Sequence, residues 1–261
     1  MSNKRNRQQV QDRRNDKKER RPKQEIQAQK FQQERKAKIL PLTAQNENQK
    51  IALQSFKEKQ LCILSGSAGS GKSEMCVWWA CKQWLEGNIE NIIITRPDKG
   101  HGDTFPVPGG DAMKMLQFLF PLLMKMKKYL GLGILRNNLR LEDDEVLFAP
   151  ASGIQIVSMA KLGGMSFDGN TIIIADEVQA ATIAQVKALT TRAEEGCQIM
   201  ITGDTTQTPL HKERNGLEYL EHKLTQHPHS LAQVVKFTPA DCCRKGISAH
   251  LTRIFEQDGT W

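Results

Sequence analysis

From residue 61 onward, short apolar runs alternate with longer segments whose apolar positions repeat at helical spacing. The runs are LCILSG (61–66), NIIITR (91–96), GIQIVSM (153–159), NTIIIADE (170–177), QIMITGD (198–204) and LAQVVKF (231–237). They are apolar throughout rather than at every second position, which predicts strands buried on both faces of a parallel sheet. Between them, SEMCVWWACKQWLEG (73–87) predicts a helix stopped by Gly87. DAMKMLQFLFPLLMKMKKYLG (111–131) predicts a helix interrupted at Pro121. Further helices are predicted over TIAQVKALTTRAEEG (182–196), NGLEYLEHKL (215–224) and GISAHLTRIFEQ (246–257). Trp78, Trp79 and Trp84 on the first of these helices read as packing residues rather than a platform for bases. Such alternation predicts an α/β, three-layer sandwich, with helices on both sides of a mostly parallel central sheet. Residues 39–261 contain no linker and are expected to form one domain.

Residues 1–38 break the pattern. Their only apolar side chains are Met1, Val10, Ile26, Ala28, Phe31 and Ala37, too few to offset the entropy of ordering. This arm is expected to be disordered or a fraying helix. The net charge of the chain is +8, yet residues 1–40 hold fourteen Lys/Arg against five acids, leaving 23 bases and 24 acids for the rest. The basic arm therefore predicts a nucleic-acid partner held by counterion release. No apolar run approaches the roughly 20 residues of a membrane span. The long basic start lacks the apolar stretch of a secretory signal. A cytoplasmic location without membrane contact is expected. The six cysteines form no C-x-x-C pair, which fits reduced thiols better than a zinc site or a disulfide framework.

Chemistry concentrates at three strand ends. Gly66-Ser67-Ala68-Gly69-Ser70-Gly71-Lys72-Ser73 matches G-x-x-x-x-G-K-[ST], between a predicted strand and a predicted helix. The glycines let backbone N–H groups turn inward around a phosphate, and the helix that follows presents its positive end. Lys72 is expected to reach the β- and γ-phosphates and Ser73 to ligate magnesium, with Glu74 next along the nucleotide-binding segment. The second end carries Asp176 and Glu177. Asp176 suits the magnesium, and Glu177 suits orientation or deprotonation of an attacking water. The third end carries Asp204 and, after it, Gln207, placed to sense the γ-phosphate.

GSAGSGKS, IIIADEVQAATIAQVKALTTR, ITGDTTQ and NGLEYL, in this order, resemble the PhoH-like P-loop ATPases, a family similar to the first RecA-like core of superfamily 1 helicases. The resemblance covers about residues 40–257. It implies a RecA-like P-loop fold, ATP binding, magnesium-dependent hydrolysis, hexameric rings and a role near RNA. Gln179 matches the glutamine of the family's DE-x-Q segment, and Thr95-Arg96-Pro97 its TRP segment. Gln49 falls where such ATPases read the adenine edge. Arg192 and Arg244 match arginine positions, and in a ring an arginine from a neighbour can complete the site. The chain departs from the family before Asp176: Gly163 and Met165 stand where arginines are expected, while Ser166 and Phe167 remain compatible.

The expected activity is an ATP hydrolase that couples turnover to action on RNA or a ribonucleoprotein. Two alternatives share the same core: a small-molecule or nucleotide kinase, and a nucleic-acid-binding protein gated by ATP with little turnover.

Overall fold

A computed structural model of the chain describes residues 39–97, 111–141, 153–205 and 215–257. The basic arm and Gln207 lie outside the described residues. Seven strands form one sheet: β1 (Leu61–Gly66), β2 (Asn91–Thr95), β3 (Leu139–Leu141), β4 (Gly153–Ile156), β5 (Thr171–Ala175), β6 (Gln198–Gly203) and β7 (Ala232–Phe237). Their order is β3-β4-β2-β5-β6-β1-β7, and every pairing is parallel. All carboxyl ends therefore share one edge. There Ser65 is level with Gly203, Gly66 with Phe237, and Thr95 with Ala175.

The helices are α1 (Glu47–Glu58), α2 (Lys72–Glu86), α3 (Asp111–Leu130), α4 (Leu132–Asn138), α5 (Ile183–Thr190), α6 (Gly216–Gln226) and α7 (Ile247–Gln257). Alternate strand positions serve different layers. Ile63, Ile93, Ile173, Ile199 and Ile201 join Val186 and Leu189 of α5 and Leu217 of α6 in one buried core. Helices α1, α2 and α3 pack together on the other side, where α2 meets β2, β5 and β6. The central strands are thus covered on both faces, which explains why their apolar residues do not alternate. Trp79 and Trp84 of α2 are buried, and their ring nitrogens donate to Gln198 Oε1 (2.7 Å) and the Glu90 carbonyl (3.1 Å). The packing role expected of them holds.

The helices differ from the expected ones in three places. Helix α3 runs unbroken through Pro121, because Pro121 and Gln117 both face solvent and the carbonyl that forgoes its intrahelical partner can be hydrated. Helix α5 ends at Thr190, six residues early. The Thr190 and Thr191 hydroxyls donate back to Val186 and Lys187 carbonyls, and the chain then turns so that Ala193 bridges Phe167. Helices α1 and α4 and strand β3 are not signalled by the apolar pattern. Polar α1 is fixed at its start by Asn46, whose side chain accepts from the Gln49 N–H at 2.8 Å.

Candidate active site

The strand-to-helix turn after β1 can be made only with glycine. Gly66 has φ +105°, and a Cβ there would lie 2.0 Å from the Phe237 carbonyl oxygen on β7. Gly71, at φ 84°, is the N-cap of α2 and lends no side chain to the first N–H groups of that helix. The turn therefore presents backbone donors at a positive helix end, the arrangement that holds phosphate. The Lys72 ammonium is folded into it and donates to the carbonyls of Gly66 (2.5 Å) and Ser67 (2.7 Å).

Strand β5 delivers Asp176 beside this turn. Asp176 Oδ1 accepts from Ser73 Oγ at 2.7 Å and from Thr202 Oγ1 at the end of β6. The next residue, Glu177, sits in left-handed backbone (φ 58°, ψ 38°), the one non-glycine positive φ among the described residues. That conformation costs on the order of 1–3 kcal/mol and persists where surrounding structure imposes it. Here a 3-10 turn, Val178–Ala180, follows at once, and Gln179 within it ties two strand ends together. Gln179 Nε2 donates to Glu177 Oε2 at 2.7 Å, and Gln179 Oε1 accepts from the Asp204 N–H at 3.1 Å. Gly203 makes room for this link: a Cβ there would fall 2.7 Å from Gln179 Oε1 and 2.5 Å from Leu217 Cδ2.

Behind the phosphate loop stands a brace. Gln49 of α1 is 6% exposed, and its amide is engaged on both sides. It donates to the Ser70 carbonyl (2.9 Å) and Cys243 Sγ (3.0 Å), and accepts from the Gln45 N–H (2.7 Å). In this geometry it holds the loop. Cys243 adds a backbone bond, its N–H donating to the Gly69 carbonyl at 3.0 Å. The turn that positions Cys243 is closed by Asp241. Burial pushes the Asp241 carboxyl up, but hydrogen bonds from Thr238 and Asn48 outweigh this and hold it below the usual carboxylate range.

The two candidate arginines part company. Arg244 lies across its own chain's loop: a Cβ on Gly69 would meet Arg244 Cδ and Nε at 2.9 Å, and its guanidinium donates to Thr252 Oγ1 at 3.3 Å. Arg192 is exposed and follows α5, near the amino ends of β5 and β6, where its carbonyl accepts from the Phe167 N–H at 3.0 Å. The structure does not bring it to the loop. Gly163 and Met165 lie in the same region before β5, and Met165 packs on the apolar core. Of the TRP segment, Arg96 donates to the Phe118 carbonyl at 3.0 Å.

The loop from Ala68 onward, Glu74, Asp176, Glu177, Gln179, Thr202, Gly203, Asp204 and Arg244 line a single cavity of about 390 Å³. Lys125 of α3 lines it too. Nearby, Glu74 Oε1 accepts from Lys128 Nζ (2.6 Å) and Tyr129 Oη (2.5 Å), joining α3 to α2. Lys125 and Cys243 are candidate-site residues that the motifs do not mark, and Thr202 lies inside ITGDTTQ without being singled out by it. Lys125, Lys128 and Tyr129 share i, i+3 and i+4 spacing, which defines one helix face but gives no hint of what it faces.

The family model described as PhoH-like protein matches residues 41–256. Protein PhoH of Escherichia coli K12 is 30% identical over 209 residues, covering 79% of this chain and 56% of that protein. A PhoH-like protein of Bacillus subtilis is 31% identical over 159 residues, covering 60% of this chain and 46% of that one. The chain thus spans about half the length of these curated relatives. Similar solved structures include the UvsW helicase from bacteriophage T4, 12% identical with a TM-score of 0.47, covering 78% of this chain and 64% of that one. The Pif1 helicase from Candida albicans is 14% identical with a TM-score of 0.41, covering 84% and 43%.

Proposed function

The chain belongs to the PhoH-like protein family, and from that premise we propose that it hydrolyses ATP in the cavity above β1, β5 and β6. The observation that carries this reading is Glu177, set in left-handed backbone beside Asp176 and fixed by Gln179. A carboxylate so constrained at the end of a strand suits a water-orienting base better than a helix cap.

The remaining residues fit around it. Backbone N–H groups of the loop and the start of α2 would hold the β-phosphate, with Lys72 turning from the Gly66 and Ser67 carbonyls to the β- and γ-phosphates. Ser73 and Asp176 offer a hydroxyl and a carboxylate 2.7 Å apart, the hard oxygen donors that magnesium takes. Bound there, magnesium would neutralise charge on the phosphates. Asp204, bonded to Gln179, would register the γ-phosphate and pass its presence to Glu177. Arg244, lying on Gly69, would stabilise phosphate charge within its own subunit, and Arg192 would serve a neighbouring copy in a ring. The basic arm would supply affinity for RNA, on which the energy of hydrolysis is spent.

Phosphate release from magnesium-ATP by the full chain, with no acceptor added, tests the reading. The wild type should release phosphate and Lys72→Ala should not. Transfer only to an added acceptor would favour a kinase instead, and binding without release would favour an ATP-gated binder.

A further inference from the structure

The cavity is lined by three cations, and two of them are engaged. Lys72 is held by carbonyls of its own loop, and Arg244 rests on Gly69 and donates to Thr252. Lys125 comes from α3, a different layer element, and among the described residues its ammonium has neither a hydrogen bond nor an ion pair.

Its placement is enforced. Lys128 and Tyr129, three and four residues further along α3, both donate to Glu74 Oε1. Glu74 is the third residue of α2, directly after Lys72 and Ser73. This pair of hydrogen bonds to one carboxylate pins the last turns of α3 to the first turn of α2, with residue 125 on the same helix face. It also removes a competitor. Burial raises the Glu74 carboxyl, but the bonds from Lys128 and Tyr129 outweigh it, so the group stays ionised and already partnered. Lys125 adds only a through-space attraction to Glu74, with no bond to it, so its ammonium remains available to charge inside the cavity.

The rest of that lining indicates which charge. The loop N–H groups and the α2 N-terminus suffice for a diphosphate, and Lys72 would bridge it to the terminal phosphoryl group. Asp176 and Glu177 line the same cavity, and under the proposed function they would face the terminal phosphoryl group. A third cation, unpaired among the described residues, answers the further negative charge that distinguishes a triphosphate. We propose that Lys125 binds the terminal phosphoryl group of a nucleoside triphosphate, so that α3 makes the site discriminate triphosphate from diphosphate. The inference rests on the reading of the cavity as an ATP site.

The test is equilibrium binding, not turnover. The full chain as wild type, Lys125→Met and Lys125→Arg is titrated with fluorescent ADP and with a non-hydrolysable ATP analogue, both with magnesium, and melting temperatures are recorded. Lys125→Met should weaken the analogue about tenfold, the worth of one charge-assisted hydrogen bond, and leave ADP within about twofold. Lys125→Arg should recover part of the difference. Equal weakening of both nucleotides, or no change in either, overturns the inference while leaving the ATP site standing. A wild type that binds neither nucleotide overturns the ATP site itself, and the inference with it.

Discussion

Gln179 donates to Glu177 across 2.7 Å, and the same side chain accepts from the Asp204 N–H across 3.1 Å. The carboxylate proposed to orient water is therefore connected to the end of β6 by one amide. Gly203→Ala would push a methyl group within 2.7 Å of Gln179 Oε1. Hydrolysis should fall about 10–100-fold, in keeping with misplacement of a positioned catalytic group, while nucleotide affinity stays near the wild-type value. Parallel measurement of kcat and of nucleotide Kd checks this, and an equal loss of turnover and affinity would count against the link.

The two arginines should be separable by mixing. Arg192→Ala and Lys72→Ala are each expected to be inactive. If Arg192 completes a neighbour's site, an equimolar mixture should recover on the order of a quarter of wild-type turnover, from interfaces that pair an intact loop with an intact arginine. Arg244→Ala mixed with Lys72→Ala should recover nothing, because Arg244 lies on the loop of its own chain. Recovery in the second mixture would move Arg244 to the neighbour.

Asp241 predicts an acid-sensitive brace. Its folded-state pKa is depressed, so its contribution is complete above the unfolded-state value near 4. It disappears as the pH falls through the folded-state value. Asp241→Ala should cost about 1 kcal/mol at pH 7, the usual worth of such a cap. It should also flatten the decline in stability below about pH 4. Denaturant melts at neutral and at acid pH check both; an unchanged acid slope would show that Asp241 is not the titrating group.

Removing residues 1–38 should weaken RNA binding and make its dependence on salt shallower. The log–log slope should drop by about 0.7 for each phosphate that the arm neutralises on a single strand. ATP turnover without RNA should persist. An unchanged slope would assign the affinity to the folded domain.

What can be read from the chain alone is whatever is local in sequence. The eight residues from Gly66 to Ser73 and the Asp176-Glu177 pair carry their meaning in spacing, since a turn around phosphate and a strand-end acid need only neighbours in the chain. The strands are legible for a related reason: Ile92–Ile94 and Ile172–Ile174 are apolar without alternation because helices cover both faces. Contacts across the fold are not legible. Lys125 reads as one of three lysines near a helix end, and only the Glu74 contact turns it toward the cavity. The position of Gln49 implies an adenine contact, yet its amide is occupied by Ser70, Cys243 and Gln45, partners up to 194 residues away. Helix ends mislead where side chains intervene, as at Thr190 and Thr191, whose hydroxyls close α5 although RAEEG beyond them reads as helical.

The most direct measurement is Glu177→Gln, which keeps the size of the side chain and removes the base. Nucleotide binding and phosphate release are measured on the same preparation with magnesium-ATP. The account predicts ATP affinity within about twofold of wild type and a fall in release of roughly 100–10,000-fold, the usual worth of a general base. Release at the wild-type rate by Glu177→Gln would contradict it.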